Sequence, residues 1–252
     1  MNSSSIEQLL RGRGAWLKKI HGDAGLALER AAISRLIADD YVAFETLRDG
    51  LISQELAMGG DPKGSGMPNG AGAGKLLQAF LKGSLVHPDP PSGYLIDTEA
   101  MRYLTGGWLE ELAFLAAREA GAEEALFGQV IGWEFKGYSG ENEIDLIMRR
   151  GARLAFVSCK ALRSELDIND RKHRNRLMDA VHEADNLADH FGRDGERVAV
   201  LVTTDLFDEL KNVPRYQALM GKAAVLDVRV IALEELQWEK LVSAFREILE
   251  TN

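Results

Sequence analysis

Between Asn142 and Lys160 two short period-two segments are separated by little more than Gly151-Ala152, and this makes a β-hairpin the organising element of the chain. In Asn142-Glu143-Ile144-Asp145-Leu146-Ile147-Met148 the alternation expects Ile144, Leu146 and Met148 on one strand face and Glu143 and Asp145 on the other. Further on, Ser158 and Lys160 are two residues apart and share a side of the next strand. A hairpin of this kind sets Asp145, Ser158 and Lys160 next to one another. An aspartate in the middle of a strand is disfavoured and needs a reason.

The surrounding pattern extends this hairpin into a sheet. From residue 105 a helix is expected, with Thr105 as its cap, an apolar stripe at Leu109, Leu112, Ala113 and Ala116, and a stop at Gly121. Strands follow at 129–135, 142–148 and 153–160, then a helix at 170–191 ended by Gly192. Beyond it come an apolar strand at 198–202, a broken helix containing Pro214, a strand at 225–231 and a last helix at 233–249. Hairpins followed by crossover helices imply an α/β fold with a mixed central sheet and helices on both faces.

Upstream, residues 5–58 carry apolar positions at three-to-four spacing and are expected to be helical. A Gly-rich loop spans 59–74; its terminal Gly74-Lys75 is not a phosphate loop, because Asn69 replaces the first glycine, Leu76 the hydroxyl residue, and no strand precedes it. A helix from Lys75 to Lys82 and two extended pieces around Pro88-Asp89-Pro90-Pro91 suggest a winged-helix-like region, with nothing basic to mark a recognition helix. The expected organisation is therefore a helical N-terminal region (1–74), a winged-helix-like connector (75–104) and an α/β domain (105–252).

The chain has 252 residues, no apolar run of membrane-spanning length and no charged-then-apolar start, so neither membrane insertion nor secretion is expected. A single cysteine, Cys159, suits a reducing cytoplasm and excludes an internal disulfide. The net charge of −9 speaks against non-specific coating of nucleic acid, yet nine basic and three acidic residues fall between Arg149 and Arg176. Within that stretch Arg171, Lys172, Arg174 and Arg176 are the candidates for holding phosphates.

Hydrolysis of a phosphodiester needs an activated water and neutralisation of charge on the phosphate, which a divalent metal supplies. Magnesium or manganese selects oxygen ligands, and Asp145 with a glutamate from the Trp108 helix offers them, while Lys160 orients the water or stabilises developing charge. Blander roles exist for the neighbours: Cys159 as a core thiol, Trp108 and Trp133 as core aromatics, and His173 and His182, nine apart, as surface or supporting residues. Glu183 is an outside candidate for a supplementary acid.

Gly107-Trp108-Leu109-Glu110-Glu111 on a helix, Asn142-Glu143-Ile144-Asp145 on one strand and Ser158-Cys159-Lys160 on the next together resemble the PD-(D/E)XK nuclease superfamily. More narrowly, the run from Arg102 to Glu111 is similar to the start of the nuclease domain in CRISPR ancillary nucleases that are switched on by cyclic oligoadenylate. The resemblance covers about residues 76–205 and implies a restriction-endonuclease-like fold and metal-dependent cleavage of DNA or RNA. It carries Glu110, Asp145, Ser158 and Lys160 over as catalytic positions, with metal held by Glu110, Asp145 and the main-chain carbonyl of Cys159. Nucleases of this type often pair, so a homodimer is also implied. Ser158 stands where the superfamily usually has a carboxylate, and it offers a hydroxyl instead. Two functions follow: an active endonuclease in bacterial defence or mobile-element biology, or a catalytically impaired nuclease-fold protein serving as a nucleic-acid-binding or assembly subunit. Residues 1–75 show no β-α-β pattern of the kind those nucleases use to sense nucleotides, so that regulation is not expected.

Overall fold

The computed structural model describes residues 5–57, 71–90, 93–193 and 195–250. In chain order its elements are α1 (Ile6–Arg11), β1 (Ala15–Ile20), α2 (Ala24–Glu29), α3 (Ala31–Asp39), α4 (Tyr41–Ala57), α5 (Ala71–Lys82), β2 (His87–Asp89), β3 (Gly93–Leu95), α6 (Thr98–Arg102) and, after a π-helical turn at Tyr103–Gly107, α7 (Trp108–Glu119). There follow β4 (Glu124–Phe135), β5 (Tyr138–Arg150), β6 (Arg153–Lys160), α8 (Arg171–Phe191), β7 (Arg197–Val202), β8 (Phe207–Asp208), β9 (Val213–Pro214), α9 (Gln217–Val225), β10 (Val228–Ile231) and α10 (Trp238–Glu250).

Six strands form the central sheet in the order β1-β4-β5-β6-β7-β10. The β1–β4, β4–β5 and β5–β6 pairs are antiparallel, whereas β6–β7 and β7–β10 are parallel. The expected mixed sheet is thus present, with helices on both faces. One face packs Leu146, Met148, Val157, Ala199 and Leu201 under α3, α4, α5, α7 and α10. The other packs Ile147, Phe156, Val198, Val200 and Val230 under α1, α8 and α9. Burial of these two apolar layers supplies the main driving force. Among the described residues no helix is long and apolar enough to cross a membrane.

Local signals explain the elements flanking the site. Asp170 caps α8 by accepting from the amides of Lys172 and His173, and Gly192 ends it. Along α8, Leu177, Ala180, Val181, Ala184, Leu187 and Phe191 repeat at helical spacing and are buried, so the helix is amphipathic and lies on the sheet. His173 belongs to that buried stripe and its Nε2 contacts Thr204 Oγ1 at 3.1 Å, so of the two roles expected for it, surface or supporting, the surface one is excluded.

The N-terminal region differs from expectation. Helix does not run through 5–58, because Gly12 and Gly14 interrupt it, Gly14 at φ +78°, and Ala15–Ile20 becomes an edge strand of the main sheet. Trp16 lies over Gly132 of β4, where a Cβ would come within 2.6 Å of the indole. Residues 59–70 of the Gly-rich stretch lie outside the described residues; 71–74 are already helical, since Ala73 packs into the core. The helix α5 followed by the small β2–β3 hairpin gives the elements expected for 75–104. Around Pro214 the chain forms the β8–β9 hairpin, with helix only from Gln217, because proline cannot supply the amide a helix needs.

Candidate active site

The site forms where two ladders part. The β4–β5 register runs from Glu124↔Arg149 to Phe135↔Tyr138 but skips Gly128 and Asp145, and Gly128 has φ +57°. On its other side β5 pairs with β6 only from Leu146↔Val157 onward. Strand alternation breaks at this point, which corrects the expected common face: Leu146 and Met148 join one core layer and Ile144 joins the other. Asp145 therefore has no ladder partner and points into the gap.

Its carboxylate replaces the missing ladder bonds. The Cys159 amide donates to Asp145 Oδ2 at 2.7 Å and the Ser158 hydroxyl donates to the same oxygen at 3.3 Å. Lys160 Nζ lies 4.0 Å from Oδ2 and 2.8 Å from Glu183 Oε2 on α8. Burial raises the Asp145 carboxyl above its ordinary value, and Lys160, the Cys159 amide and Ser158 hold it back from rising further. Burial alone would lower Lys160, but Asp145 and Glu183 together lift it, so the ammonium stays charged at neutral pH.

From the opposite side, the first turn of α7 brings Glu110 to the same gap. A Cβ on Gly128 would sit 3.5 Å from Glu110 Oε2, in ordinary contact, which places this carboxylate beside the break in the ladder. Burial first, and then the negative charge of Asp145, pushes Glu110 up to about 7, with Arg102 opposing. The structure thus brings Glu110, Asp145, Ser158 and Lys160 together. Cys159 turns its thiol toward the core, where burial drives its pKa well above the ordinary value, and its amide serves Asp145.

Arg171, Lys172, Arg174 and Arg176 are not part of this cluster. They occupy the first two turns of α8, and Arg171 is twelve residues from Glu183, about 18 Å along the helix axis. Arg171, Lys172 and Arg176 are exposed; Arg174 is half-buried, with Nε lacking a hydrogen-bond partner among the described residues.

His21 escaped the sequence reading. Its amide donates to Gly128 O at 2.8 Å, and with Arg30, Arg102, Tyr103 and Phe127 it lines a cavity of about 330 Å³ that includes Glu110. No sequence signal could place it, because β1 and the turn after it reach the site only through pairing with β4.

Among the described residues no three His, Cys, Asp or Glu side chains converge closely enough to hold an ion. The groups that do face one another, the carboxylates of Glu110 and Asp145, offer oxygen donors, which suit a hard divalent cation. Glu110 is raised first by burial and then by the negative charge of Asp145, so a cation between the two carboxylates would favour its ionised form.

The sequence model of the Card1-like endonuclease domain matches residues 97–237. No curated protein matches the chain. Among solved structures, VC1899 from Vibrio cholerae aligns with a TM-score of 0.68 at 16% identity, over 99% of this chain and 63% of that one. Can2 from Sulfobacillus thermosulfidooxidans, solved in complex with cyclic tetra-adenylate, aligns with a TM-score of 0.62 at 16% identity, over 96% of this chain and 61% of that one. The chain therefore spans about three fifths of either protein, and what it shares with them at this identity is the fold. Its N-terminal region falls within both alignments, consistent with β1 being part of the sheet. The match to the endonuclease model takes in more than half of the chain and contains the helix, the hairpin and the lysine described above: the chain belongs to the Card1-like endonuclease-domain family.

Proposed function

We propose that the protein is a metal-dependent endonuclease that hydrolyses phosphodiester bonds in DNA or RNA. The observation that carries this reading is the placement of Lys160 Nζ 4.0 Å from Asp145 on adjoining strands, with Glu110 facing the same gap. Glu110, Asp145 and the Cys159 carbonyl would hold magnesium or manganese, which supplies charge neutralisation at the phosphate and a more acidic water. Ser158 and the Cys159 amide fix the rotamer of Asp145, so one carboxylate oxygen is oriented before substrate arrives. Lys160, kept protonated by Asp145 and Glu183, acts as a positioned cation toward the phosphate, in preference to acting as a base. Glu110, raised to about 7 by burial and Asp145, would have to give up its proton to hold such a cation, so affinity for metal would rise as pH passes through about 7. The exposed cations at the start of α8 would meet flanking phosphates, away from the one being cut. A setting in bacterial defence accords with the family.

A second reading, a binding or assembly subunit without turnover, is favoured by Ser158, whose hydroxyl is engaged by Asp145 where a further acid would strengthen metal binding. Incubation with single- and double-stranded DNA and RNA in magnesium or manganese separates the two. Cleavage that disappears in chelator and in Asp145→Ala and Lys160→Ala supports the enzyme; cleavage that persists in those variants rejects the assigned roles. Cutting that emerges only in Ser158→Glu favours the subunit.

A further inference from the structure

The cavity beside Glu110 holds two basic side chains that the fold itself does not use. Three of the acids on its wall are already engaged. Asp23 caps α2 by accepting from the amides of Gly25 and Leu26 at 2.8 and 3.1 Å, and Glu99 and Glu111 pair with Arg30 at 3.2 and 2.7 Å. Arg30 also lies over the ring of Tyr103, 4.7 Å from its centroid, so it is fixed as part of the wall. Arg102 and His21 line the same cavity, and among the described residues neither side chain has a hydrogen bond or an ion pair.

Backbone geometry puts both beside Glu110. A π-helical turn at Tyr103–Gly107 joins α6 to α7, and Gly107, where a Cβ would come within 3.3 Å of Arg102 O, leaves the wall between Arg102 and Glu110 bare. Arg102 is near enough that its charge opposes the rise of both Glu110 and Glu111. His21 arrives from the other side, its amide bonded to Gly128 O at 2.8 Å, and a Cβ on the next residue, Gly22, would overlap the Phe127 carbonyl oxygen. The turn is thereby clamped to the break in β4 that leaves Asp145 without a ladder partner. Lys160 lies toward the opposite layer: it meets Glu183 of α8, whose Leu177, Val181 and Leu187 pack on the other face of the sheet from Leu109 and Leu112 of α7. Across the gap the order of charge is therefore ammonium, two acids, then guanidinium and imidazole. With a divalent ion on the acids, the guanidinium faces the cavity as positive charge without a counterion.

We propose that Arg102 and His21 bind the phosphate next to the one that is cut, so that the substrate strand passes through the gap from the α8 face of the sheet to the α7 face; the inference rests on the nuclease reading for the identity of the cut phosphate. A phosphodiester is an anion that offers only acceptor oxygens, which a guanidinium fork and an imidazole N–H both match. The cavity, about 330 Å³, has room for a phosphate with its sugar, against which Leu26 and Phe127 set apolar surface. Such a contact positions the strand without reading its sequence.

The test joins salt dependence to kinetics. Labelled DNA and RNA oligonucleotides are bound to the full chain in chelator across a salt series, by fluorescence anisotropy, and are cut in manganese. Arg102→Gln, at an exposed position with no described partner to lose, is expected to weaken binding about tenfold whatever the sequence and to lower the slope of log affinity against log salt by about one, as loss of one phosphate contact requires. Arg102→Lys should keep the slope and recover part of the affinity, and His21→Ala should weaken binding about threefold. In cleavage the loss should fall in KM, with kcat changed less than about threefold. A strand with a neutral methylphosphonate at one of the two linkages flanking the cut should no longer distinguish the native chain from Arg102→Gln. An unchanged salt slope, or a loss confined to kcat, overturns the inference and leaves Arg102 as a group that acts on Glu110. Binding of inorganic phosphate or a mononucleotide that depends on Arg102 while strand binding does not also overturns it, and makes the cavity a site for a small anion. Cleavage that requires Asp145 but is indifferent to Arg102 and His21 sinks the phosphate site alone. The expected salt-dependent loss, without metal-dependent cleavage by the native chain, sinks the nuclease reading and leaves the phosphate site.

Discussion

Replacing Glu110 by glutamine should stabilise the protein while silencing it, and the stabilisation should have a defined pH dependence. In the folded protein burial and Asp145 move this carboxyl from 4.5 to about 7, so between those values the folded state binds the proton more tightly than the unfolded chain. The sign follows: stability from this group is full below about 4.5 and is lost as pH rises through about 7, by about 3 kcal/mol. Glutamine mimics the protonated carboxyl at every pH. The gap between Glu110→Gln and the native chain should thus be near zero at low pH and approach about 3 kcal/mol in favour of the variant above neutrality. Urea unfolding in chelator across that range measures it. Manganese added at the alkaline end should then stabilise the native chain and not the variant, because only the native site has an ionised Glu110 to relieve. A gap that does not vary with pH, or a variant less stable than the native chain at alkaline pH, would refute the argument that Asp145 and burial hold a strained negative charge at this point.

Further outcomes follow from single contacts. Arg30→Met leaves Glu111 buried without its 2.7 Å partner and should cost about 3–5 kcal/mol by chemical denaturation, a figure that a loss below about 1 kcal/mol contradicts. Thr203→Val removes the buried hydroxyl that contacts the amide of Leu162 at 2.7 Å and Tyr41 Oη at 3.0 Å; it should cost about 1–3 kcal/mol and lower the cleavage rate, because Leu162 follows Lys160 by two residues. Gly128→Ala forces a side chain into a positive φ, with its Cβ 3.0 Å from the Gly22 amide, and should lose about 1–2 kcal/mol together with metal affinity, readable by unfolding and by manganese titration.

How much of this was legible beforehand depended on whether the information was local. Strand β6 and helix α8 were read at their observed extents because Gly151, Asp170 and Gly192 punctuate them and their apolar periods are clean. The approach of Asp145 to Lys160 followed from two strands joined by a short turn. Strand β1 was hidden, since Trp16, Leu17 and Ile20 satisfy a helical spacing as readily as a strand, and only pairing with the distant β4 decides between them. The break in alternation at Asp145 was equally invisible, because it arises from a positive φ in Gly128 on a neighbouring strand. Arg171, Lys172 and Arg176 lie exposed at the start of α8, and their place relative to Lys160 depends on how the helix crosses the sheet, which no local spacing encodes.

The pairing of Ala15 with Trp133 has a practical consequence for anyone dissecting this chain. A fragment cut to the boundaries of the recognised catalytic segment would expose the long, partly apolar rim of β4 and remove the peptide that braces Gly128. Such a fragment should self-associate through that rim and lose its grip on metal even with every acidic and basic group of the site retained. The unit that must be transplanted, expressed or swapped between relatives therefore includes the N-terminal ribbon.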